Sequence, residues 1–276
     1  MKLDYSPLNE KSAKPIRSEL TDIPKLSNKI GSLFLTVFVV SIIFVLSKEL
    51  IITLLLFPLI FTLLYWIVTN SNSSAIRLSN FAVKNGFTYM WGRKENNSDI
   101  IKVNLSGVIG SKHGEVSASN VITGRYKDFS FTLFNPYLKG FYTVMKVDLA
   151  NRYPHIVLDS KANNPLTSNI GHFFSDNARI HLEGDFDDYF RVYSKAPATD
   201  SLRILTPDMM ALMIDSGHKY DIEIFEDKLH IISNYKFSNE QNARYFLSLQ
   251  IRCWISLIDE RLLSRRHLIT HPLLNS

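Results

Sequence analysis

Two long apolar stretches lie near the start of the chain. Ile30–Ser47 contains no charged residue, and neither does Leu50–Ile76, with only Lys48 and Glu49 between them. A bilayer core of about 30 Å is crossed by roughly 20 helical residues, and each stretch approaches that length. One continuous helix would be about twice too long and would place the charged pair at the bilayer centre. The pattern therefore predicts a transmembrane helical hairpin over residues 30–68.

Basic residues flank the predicted hairpin on one side. The turn between the spans offers Lys48 alone, and the basic residues of the N-terminal tail and of the region after the second span are Lys11, Lys14, Arg17, Lys25, Lys29, Arg77, Lys84, Arg93 and Lys94. Because positively charged flanks stay in the cytoplasm, the sequence predicts a two-span protein of the cell membrane with both termini cytoplasmic. Residues 1–29, with their prolines and mixed charges, are expected to form a mobile tail.

Alternation of apolar and polar residues dominates the remainder, residues 73–276, whose length suits one cytoplasmic domain. Phe129, Phe131 and Leu133 alternate with polar residues, and a longer alternation follows over Phe141–Leu149. Such patterns predict half-buried strands, and short links between them favour an antiparallel sheet. Further strands are predicted at Ile100–Val108, His155–Leu158, Arg179–Glu183, Tyr220–Phe225 and Leu229–Ser233, the last two joined by a turn near Glu226 and Asp227.

Helix signals interrupt these strands. Ser73 or Ser74 caps a helix that ends near Gly86, and Thr206–Asp208 begins a second helix that ends near Gly217. Ser238–Gln241 forms a capping box that opens a long helix to about Arg266.

The predicted fold class is therefore α+β. It consists of an N-terminal transmembrane helical hairpin followed by a mainly antiparallel β-sheet domain with a long C-terminal helix. Many antiparallel strands closed by one terminal helix also suit a pleckstrin-homology-like barrel, although the helix at Pro207 interrupts that pattern.

Charge and cysteine content narrow the function classes. The formal net charge of +5 is distributed along the 276 residues rather than concentrated, so nucleic-acid binding is not indicated. Cys253 is the single cysteine, which excludes an intramolecular disulfide and any cysteine-cluster metal site.

Several stretches of the domain resemble a family of uncharacterised two-helix bacterial membrane proteins that is frequent in candidate-phylum bacteria and similar to a broader domain-of-unknown-function family. The stretches are Phe81–Tyr89, His155–Lys161, Leu182–Phe186 with Tyr189 and Phe190, and Ile204–Asp208. The resemblance spans about residues 73–235. It implies a bacterial cytoplasmic membrane and a cytosolic domain, and it implies no activity, cofactor or catalytic residue.

The strongest candidate for chemistry is Arg179–Asp185. Strand alternation would place His181, Glu183 and Asp185 on one face, where one nitrogen and two carboxylates suit a divalent ion. The competing interpretation is a solvated strand face, with Gly184 breaking the strand before Asp185 is reached. His155 and Asp159 bracket an apolar run, but a catalytic His–Asp dyad there lacks an identifiable third partner.

Basic residues at the end of the predicted terminal helix suggest a second site. Arg261, Arg265 and Arg266 complement the negative pole of that helix, and they are also placed to contact anionic lipid headgroups.

The common phosphate-binding, nucleophile, zinc and dinucleotide motifs are missing from the sequence, which argues against an enzyme, and no cofactor is expected. The leading hypothesis is a membrane-anchored cytoplasmic binding module whose partners are the lipid bilayer and a protein at its surface. The alternative is a membrane-tethered, divalent-metal-dependent hydrolase that uses His181, Glu183 and Asp185. A hairpin that oligomerises ranks last, because it lacks a Gly-x-x-x-Gly face.

Overall fold

The chain divides into two compact units, Asp4–Asn85 and a second made of Met1–Leu3 with Gly86–Ser276. The computed structural model describes residues 3–9, 62, 74–92, 101–105, 107–108, 114–126, 129–137, 143–163, 174, 178–182, 184–197, 201–202, 204–235, 237, 243–244 and 247.

In the smaller unit, a 3-10 turn at Ser6–Asn9 accompanies helix α1, described over residues 74–84. The Tyr5 ring stacks on Phe81 with 5.6 Å between ring centroids. The backbone N–H of Asp4 donates to Asn85 Oδ1 at 2.8 Å, and Asn85 Nδ2 donates to the Asp4 carbonyl at 2.9 Å. The predicted end of α1 is confirmed, since Gly86 follows with a φ of +72° that favours glycine.

The larger unit contains an eight-stranded antiparallel sheet. Its strands are β1 (Thr88–Met90), β2 (Ile101–Asn104), β3 (Glu115–Tyr126), β4 (Phe129–Pro136), β5 (Thr143–Ser160), β6 (Arg179–Ile180), β7 (Phe190–Ser194) and β8 (Asp221–Ser233). Two helices of the larger unit are described from end to end, α2 (Phe186–Tyr189) and α3 (Pro207–Gly217). The α3 prediction is confirmed, with Thr206 in extended conformation just before it.

Strand β5 lies at the centre of the sheet, and among the described strands β8 pairs with β5. Strand β8 pairs with β5 from Thr143 to Leu158, along nearly its full length. On its other side, β5 pairs first with β4 and then with β7. The buried cluster takes side chains from β2, β3, β4, β5 and β8 and from the segments between strands: Val103, Leu105, Val108, Val116, Ala118, Val121, Phe134, Val144, Val157, Phe174 and Ile232. A single pair of strands therefore connects both halves of the sheet through one core.

Two strand predictions are corrected by bulges. The two strands predicted on either side of Glu226 are assigned as one strand, β8, but the chain does bend sharply at Glu226, which takes a φ of +54°. The side chains of Glu223 and His230 lie 3.7 Å apart across this bend, whereas a separation of seven residues would span roughly 23 Å in a straight strand.

The two strands predicted on either side of Pro154 are one strand, and the register shifts between Asp148 and Ile156. Proline, which has no N–H, is tolerated at such an irregularity. Val144 and Val157 are an odd number of residues apart, so strict alternation would place them on opposite faces of β5. Because of the register shift, they share one face.

The predicted fold class is wrong in its membrane part. Among the described residues, no helix is both long enough and apolar enough to cross a bilayer. Helix α3 has 11 residues, whereas about 20 are needed. Of the predicted hairpin at 30–68 the structure describes Thr62 alone. The two-span topology and membrane localisation are not supported, and the fold class is corrected to a mainly antiparallel β architecture with short helices.

Further predictions concern the domain. Strand β3, which pairs with β1, β2 and β4, was not predicted. The strand predicted at Ile100–Val108 is shorter, Ile101–Asn104. Of the predicted helix from Ser238 to Arg266, the structure describes Ala243 and Arg244 as helical, and the remainder lies outside the described residues apart from Leu247. Among the described strands, the sheet runs from β1 at one edge to β6 at the other, and these two strands do not pair with each other. This arrangement differs from the predicted alternative of a closed pleckstrin-homology-like barrel.

Gly92 provides a test of the packing beside β3. A Cβ atom there would lie 2.1 Å from the Ala118 carbonyl oxygen, which is backbone and cannot rotate away. We expect Gly92→Ala to lower the free energy of unfolding by about 1–3 kcal/mol, measured by urea denaturation. Ser130→Ala, at an exposed position of β4, is the control and should change it by less than about 0.5 kcal/mol. Equal stability of the two variants would contradict the described approach.

Candidate functional site

A glutamate on β8 is the centre of a buried polar cluster. Glu223 is 0% exposed, and its Oε1 accepts a hydrogen bond from the Val108 N–H at 2.7 Å. The same oxygen lies 2.7 Å from His155 Nε2 on β5. Two donors from different segments therefore converge on one carboxylate oxygen.

A second histidine completes the group, called here the Glu223 cluster (His155, Glu223 and His230). His230 Nδ1 lies 3.7 Å from Glu223 Oε2, which is too long for a hydrogen bond but close for an electrostatic attraction. The change of alternation at Glu226 brings His230 to the same face as Glu223. Within the described part of the chain, His155 Nδ1, Glu223 Oε2 and both His230 nitrogens are buried without hydrogen-bond partners.

The environment of Glu223 favours its charged form. Burial opposes ionisation, but the hydrogen bond with His155, the attraction of His230 and the Val108 N–H together hold the pKa of Glu223 below its usual value. A buried carboxylate that keeps its charge needs such partners, because an unpaired buried charge costs several kcal/mol.

Gly107 allows the segment after β2 to approach this carboxylate. Its φ is +99°, and a Cβ atom would lie 2.2 Å from Glu223 Oε1. Glycine is the residue that satisfies both conditions. The glycine at position 107 is therefore explained by backbone contact with Glu223.

Two aspartates lie farther along the same face. Asp159 on β5 is fully buried, and its Oδ2 accepts a hydrogen bond from Arg191 Nη1 at 3.0 Å. Asp221 on β8 is also fully buried, and its Oδ1 accepts one from the Ser160 N–H at 2.8 Å. Burial raises the pKa of Asp159 despite the Arg191 guanidinium. Burial and the charge of Asp159 raise the pKa of Asp221 to about 9.

The surroundings of His155 decide what this arrangement can do. A carboxylate and a histidine also occur in nucleophilic catalysis, but there the imidazole must reach a nucleophile and substrate. The rings of Phe174 and Phe225 lie on His155, each with its centroid 4.8 Å from the imidazole. Glu223 and His230 are 0% exposed. The cluster therefore stabilises the interior and is closed to a substrate in this conformation.

Two of the predicted metal residues, His181 and Asp185, follow the end of strand β6. Strand β6 ends at Ile180, so strand alternation does not extend to Asp185, which lies in the turn before α2. His181 is exposed, and its Nδ1 lies 2.7 Å from Asp187 Oδ2. Glu183 lies outside the described residues. In the ranges that are described, no three His, Cys, Asp or Glu side chains are grouped to hold a metal ion. The three-residue site stays a prediction.

The other sequence candidates have mixed outcomes. Arg261, Arg265 and Arg266 lie outside the described residues, and their contact with lipid headgroups stays a prediction. His155 and Asp159 do share one face of β5, but their partners are Glu223 and Arg191. Sequence analysis missed Glu223, His230 and Asp221. The available signal was the presence of ionisable residues at alternate positions inside the apolar strand β8.

An exposed aromatic surface lies at the end of the sheet where β4 and β8 finish and β5 begins. It is called here the aromatic end surface and consists of Met90, Tyr137 and Tyr235, which are 40%, 36% and 53% exposed. Tyr137 Oη donates to the Gly92 carbonyl at 2.9 Å, so the ring is fixed across the end of β1. Tyr235 follows β8, and its carbonyl accepts a hydrogen bond from Thr143 Oγ1 at 2.7 Å.

A row of polar side chains supports this surface. Tyr89 Oη donates to Asn120 Oδ1 at 2.9 Å, and Asn120 Nδ2 donates to Asn135 Oδ1 at 3.4 Å. Asn135 Nδ2 in turn donates to Thr143 Oγ1 at 3.1 Å. Asn120 has a φ of +52°, which asparagine tolerates, and lies where the β3–β4 register shifts. The row connects β1, β3, β4 and β5 at the same end of the sheet.

No protein-family model matches this chain, and no curated protein matches it. Among solved structures, the fold is similar to the crystal structure of the mycobacterial trehalose monomycolate transport factor A, TtfA. The two chains are 15% identical with a TM-score of 0.46, over 68% of this chain and 94% of that chain. A likeness at this level carries no argument about function. The resemblance to uncharacterised bacterial membrane proteins also stays a prediction.

The lowered pKa of Glu223 predicts how the stability of the folded protein depends on pH. A depressed carboxyl pKa contributes stability above the unfolded value, about 4.3, which is lost as the pH falls through the folded value. Glu223→Gln should remove this contribution and lower the free energy of unfolding at pH 7 by about 3 kcal/mol, measured by urea denaturation from pH 7 to pH 3.

The matched control is Glu226→Gln on the same strand. Glu226 pairs with Arg152 at 3.5 Å, and both side chains are more than half exposed. That surface pair contributes at most about 1 kcal/mol. Equal effects of the two substitutions at pH 7 would refute the described role of Glu223.

Proposed function

We propose that this chain is a non-catalytic binding module that contacts a protein partner through the aromatic end surface. The observation that carries the proposal is the position of three large exposed side chains, Met90, Tyr137 and Tyr235, at one end of the sheet. Tyrosine and methionine are enriched at protein interfaces relative to other surfaces, whereas lysine and glutamate are depleted there.

The support beneath this surface favours binding. The hydrogen bond from Tyr137 to Gly92 and the row from Tyr89 to Thr143 fix the surface before a partner arrives. Side chains that are already ordered lose less conformational entropy on binding, which improves affinity without additional contacts. Strand ends also hold these residues more rigidly than a long loop would.

The buried ionisable groups favour binding over catalysis. The Glu223 cluster is the densest group of acid and base side chains in the described ranges, and it lies under Phe174 and Phe225. A catalytic group must come within hydrogen-bond reach of its substrate. The exposed aromatic side chains are accessible without any rearrangement.

Partner capture tests the proposal. The full chain is immobilised and exposed to a lysate of its source cells, and retained proteins are quantified for the wild type and for Tyr137→Ser/Tyr235→Ser. We expect one stoichiometric partner, and we expect the double variant to bind it at least tenfold more weakly, as for aromatic residues central to an interface.

The control is Tyr189→Ser, which removes a tyrosine of similar exposure, 38%, from α2. It should retain the partner at wild-type affinity. Absence of a stoichiometric partner, or equal binding by the double variant and the control, would contradict the proposal.

A metal-dependent hydrolase is the second candidate. The observation that favours it is the 2.7 Å approach of His181 Nδ1 to Asp187 Oδ2, since a carboxylate that orients an imidazole is a common feature of metal-ligating histidines. Calorimetric titration with Mn²⁺ and Zn²⁺ should show one site that is lost when His181, Glu183 and Asp185 are replaced by Ala. No binding, or binding unchanged in that variant, would exclude the site.

A further inference from the structure

The two buried aspartates face each other across the β5–β8 pair. Leu158 pairs with Ile222 at the end of the antiparallel register, and continuing that register by one residue on each strand brings Asp159 opposite Asp221. The hydrogen bond from the Ser160 N–H to Asp221 Oδ1 agrees with this arrangement. Directly opposed side chains lie on the same face, about 5 Å apart at Cβ.

One oxygen of each carboxyl group has a protein partner and the other does not. Asp159 Oδ2 accepts from Arg191, and Asp221 Oδ1 accepts from Ser160. Asp159 Oδ1 and Asp221 Oδ2 are buried without a partner in the described part of the chain. Two unpartnered acceptors on facing carboxyl groups are satisfied together by a single proton between them.

We propose that Asp159 and Asp221 share one proton, as a carboxyl–carboxylate pair compensated by Arg191, and that this proton stabilises the junction of β5, β7 and β8. The pair is a pH-sensitive element that loosens when the shared proton is lost at alkaline pH.

The charge balance around the two aspartates requires one bound proton. Two aspartates, one proton and the Arg191 guanidinium sum to zero. Loss of the proton would leave one uncompensated negative charge in a site where both aspartates are 0% exposed. Like charges at close range disfavour double ionisation in the same way as in other paired carboxyl groups.

The other groups facing the pair do not replace the proton. On β8, Glu223 lies two residues from Asp221 on the same face and adds negative charge, offset by its own histidines. The nearby Asn163 amide lowers the pKa of Asp221 but brings no charge, and its Nδ2 donates to the Ile232 carbonyl at 3.0 Å. His218, at the end of α3, contributes its carbonyl oxygen, which accepts a hydrogen bond from Ser160 Oγ. Arg191 on β7 is the cation in contact with the pair.

The raised pKa of Asp221, about 9, sets the pH range. In the unfolded chain both aspartates ionise near pH 4. Between that value and about 9 the folded protein binds one more proton than the unfolded chain, so its stability falls as the pH rises. The sign is opposite to that of Glu223, whose stabilising charge is lost in acid.

The test is urea denaturation of the full chain between pH 5 and pH 10. For the wild type we expect this pair to raise the unfolding constant by up to about tenfold per pH unit below its folded pKa. Asp221→Asn keeps an oxygen for the Ser160 N–H and places an amide N–H toward Asp159, so this contribution should vanish. Asp227→Asn, on an exposed side chain of β8, should keep the wild-type slope.

The same slope for wild type and Asp221→Asn would overturn the proposal. If Asp221→Asn does not fold, infrared spectroscopy of the wild type decides the matter. We expect the carbonyl band of a buried protonated carboxylic acid at pH 7, with loss of that band above about pH 9. Absence of the band at pH 7 would overturn the proposal equally.

Discussion

The pairing of β5 with β8 is the interaction on which the rest of the larger unit depends. These two strands carry Asp159, His155, Asp221, Glu223 and His230 into the interior, on a face that otherwise contributes to the apolar core. Burying so many ionisable groups is unfavourable unless each charge meets a partner. The register of this strand pair brings His155, His230 and the Ser160 N–H to the buried carboxyl groups, and Val108 and Arg191 complete the set of partners. The sheet and its electrostatics are therefore specified together.

The compensation takes two different forms along the same face. Around Glu223, two imidazoles and the Val108 N–H favour the charged carboxylate. Around Asp221, burial and the neighbouring Asp159 favour the protonated acid. Opposite pKa shifts on one strand, two residues apart, arise because one carboxyl group faces donors and the other faces a second carboxyl group. The described interior is therefore mainly apolar but contains a line of buried ionisable groups, whereas Tyr137 and Tyr235 are exposed.

Local signals in the sequence predicted the local structure. The alternation around Phe131 identified β4, and the Thr206–Asp208 start identified α3. The buried site was not predictable in the same way, because it depends on the positive φ of Glu226 and on the register shifts near Pro154. The bend at Glu226 was predicted, but the side chains that it brings together depend on the register of β8 against β5. The prediction of a hairpin at residues 30–68 rested on apolar length and on the charged pair between the two stretches, and the described helices do not support it.

Site-resolved carbon NMR of the side-chain carboxyl groups tests the central claim most directly. With the resonances of Glu223 and Asp221 assigned in one sample at pH 7, the account predicts an ionised shift for Glu223 and a protonated shift for Asp221. A protonated Glu223 together with an ionised Asp221 would contradict the described pairing of β5 and β8 as the source of charge compensation.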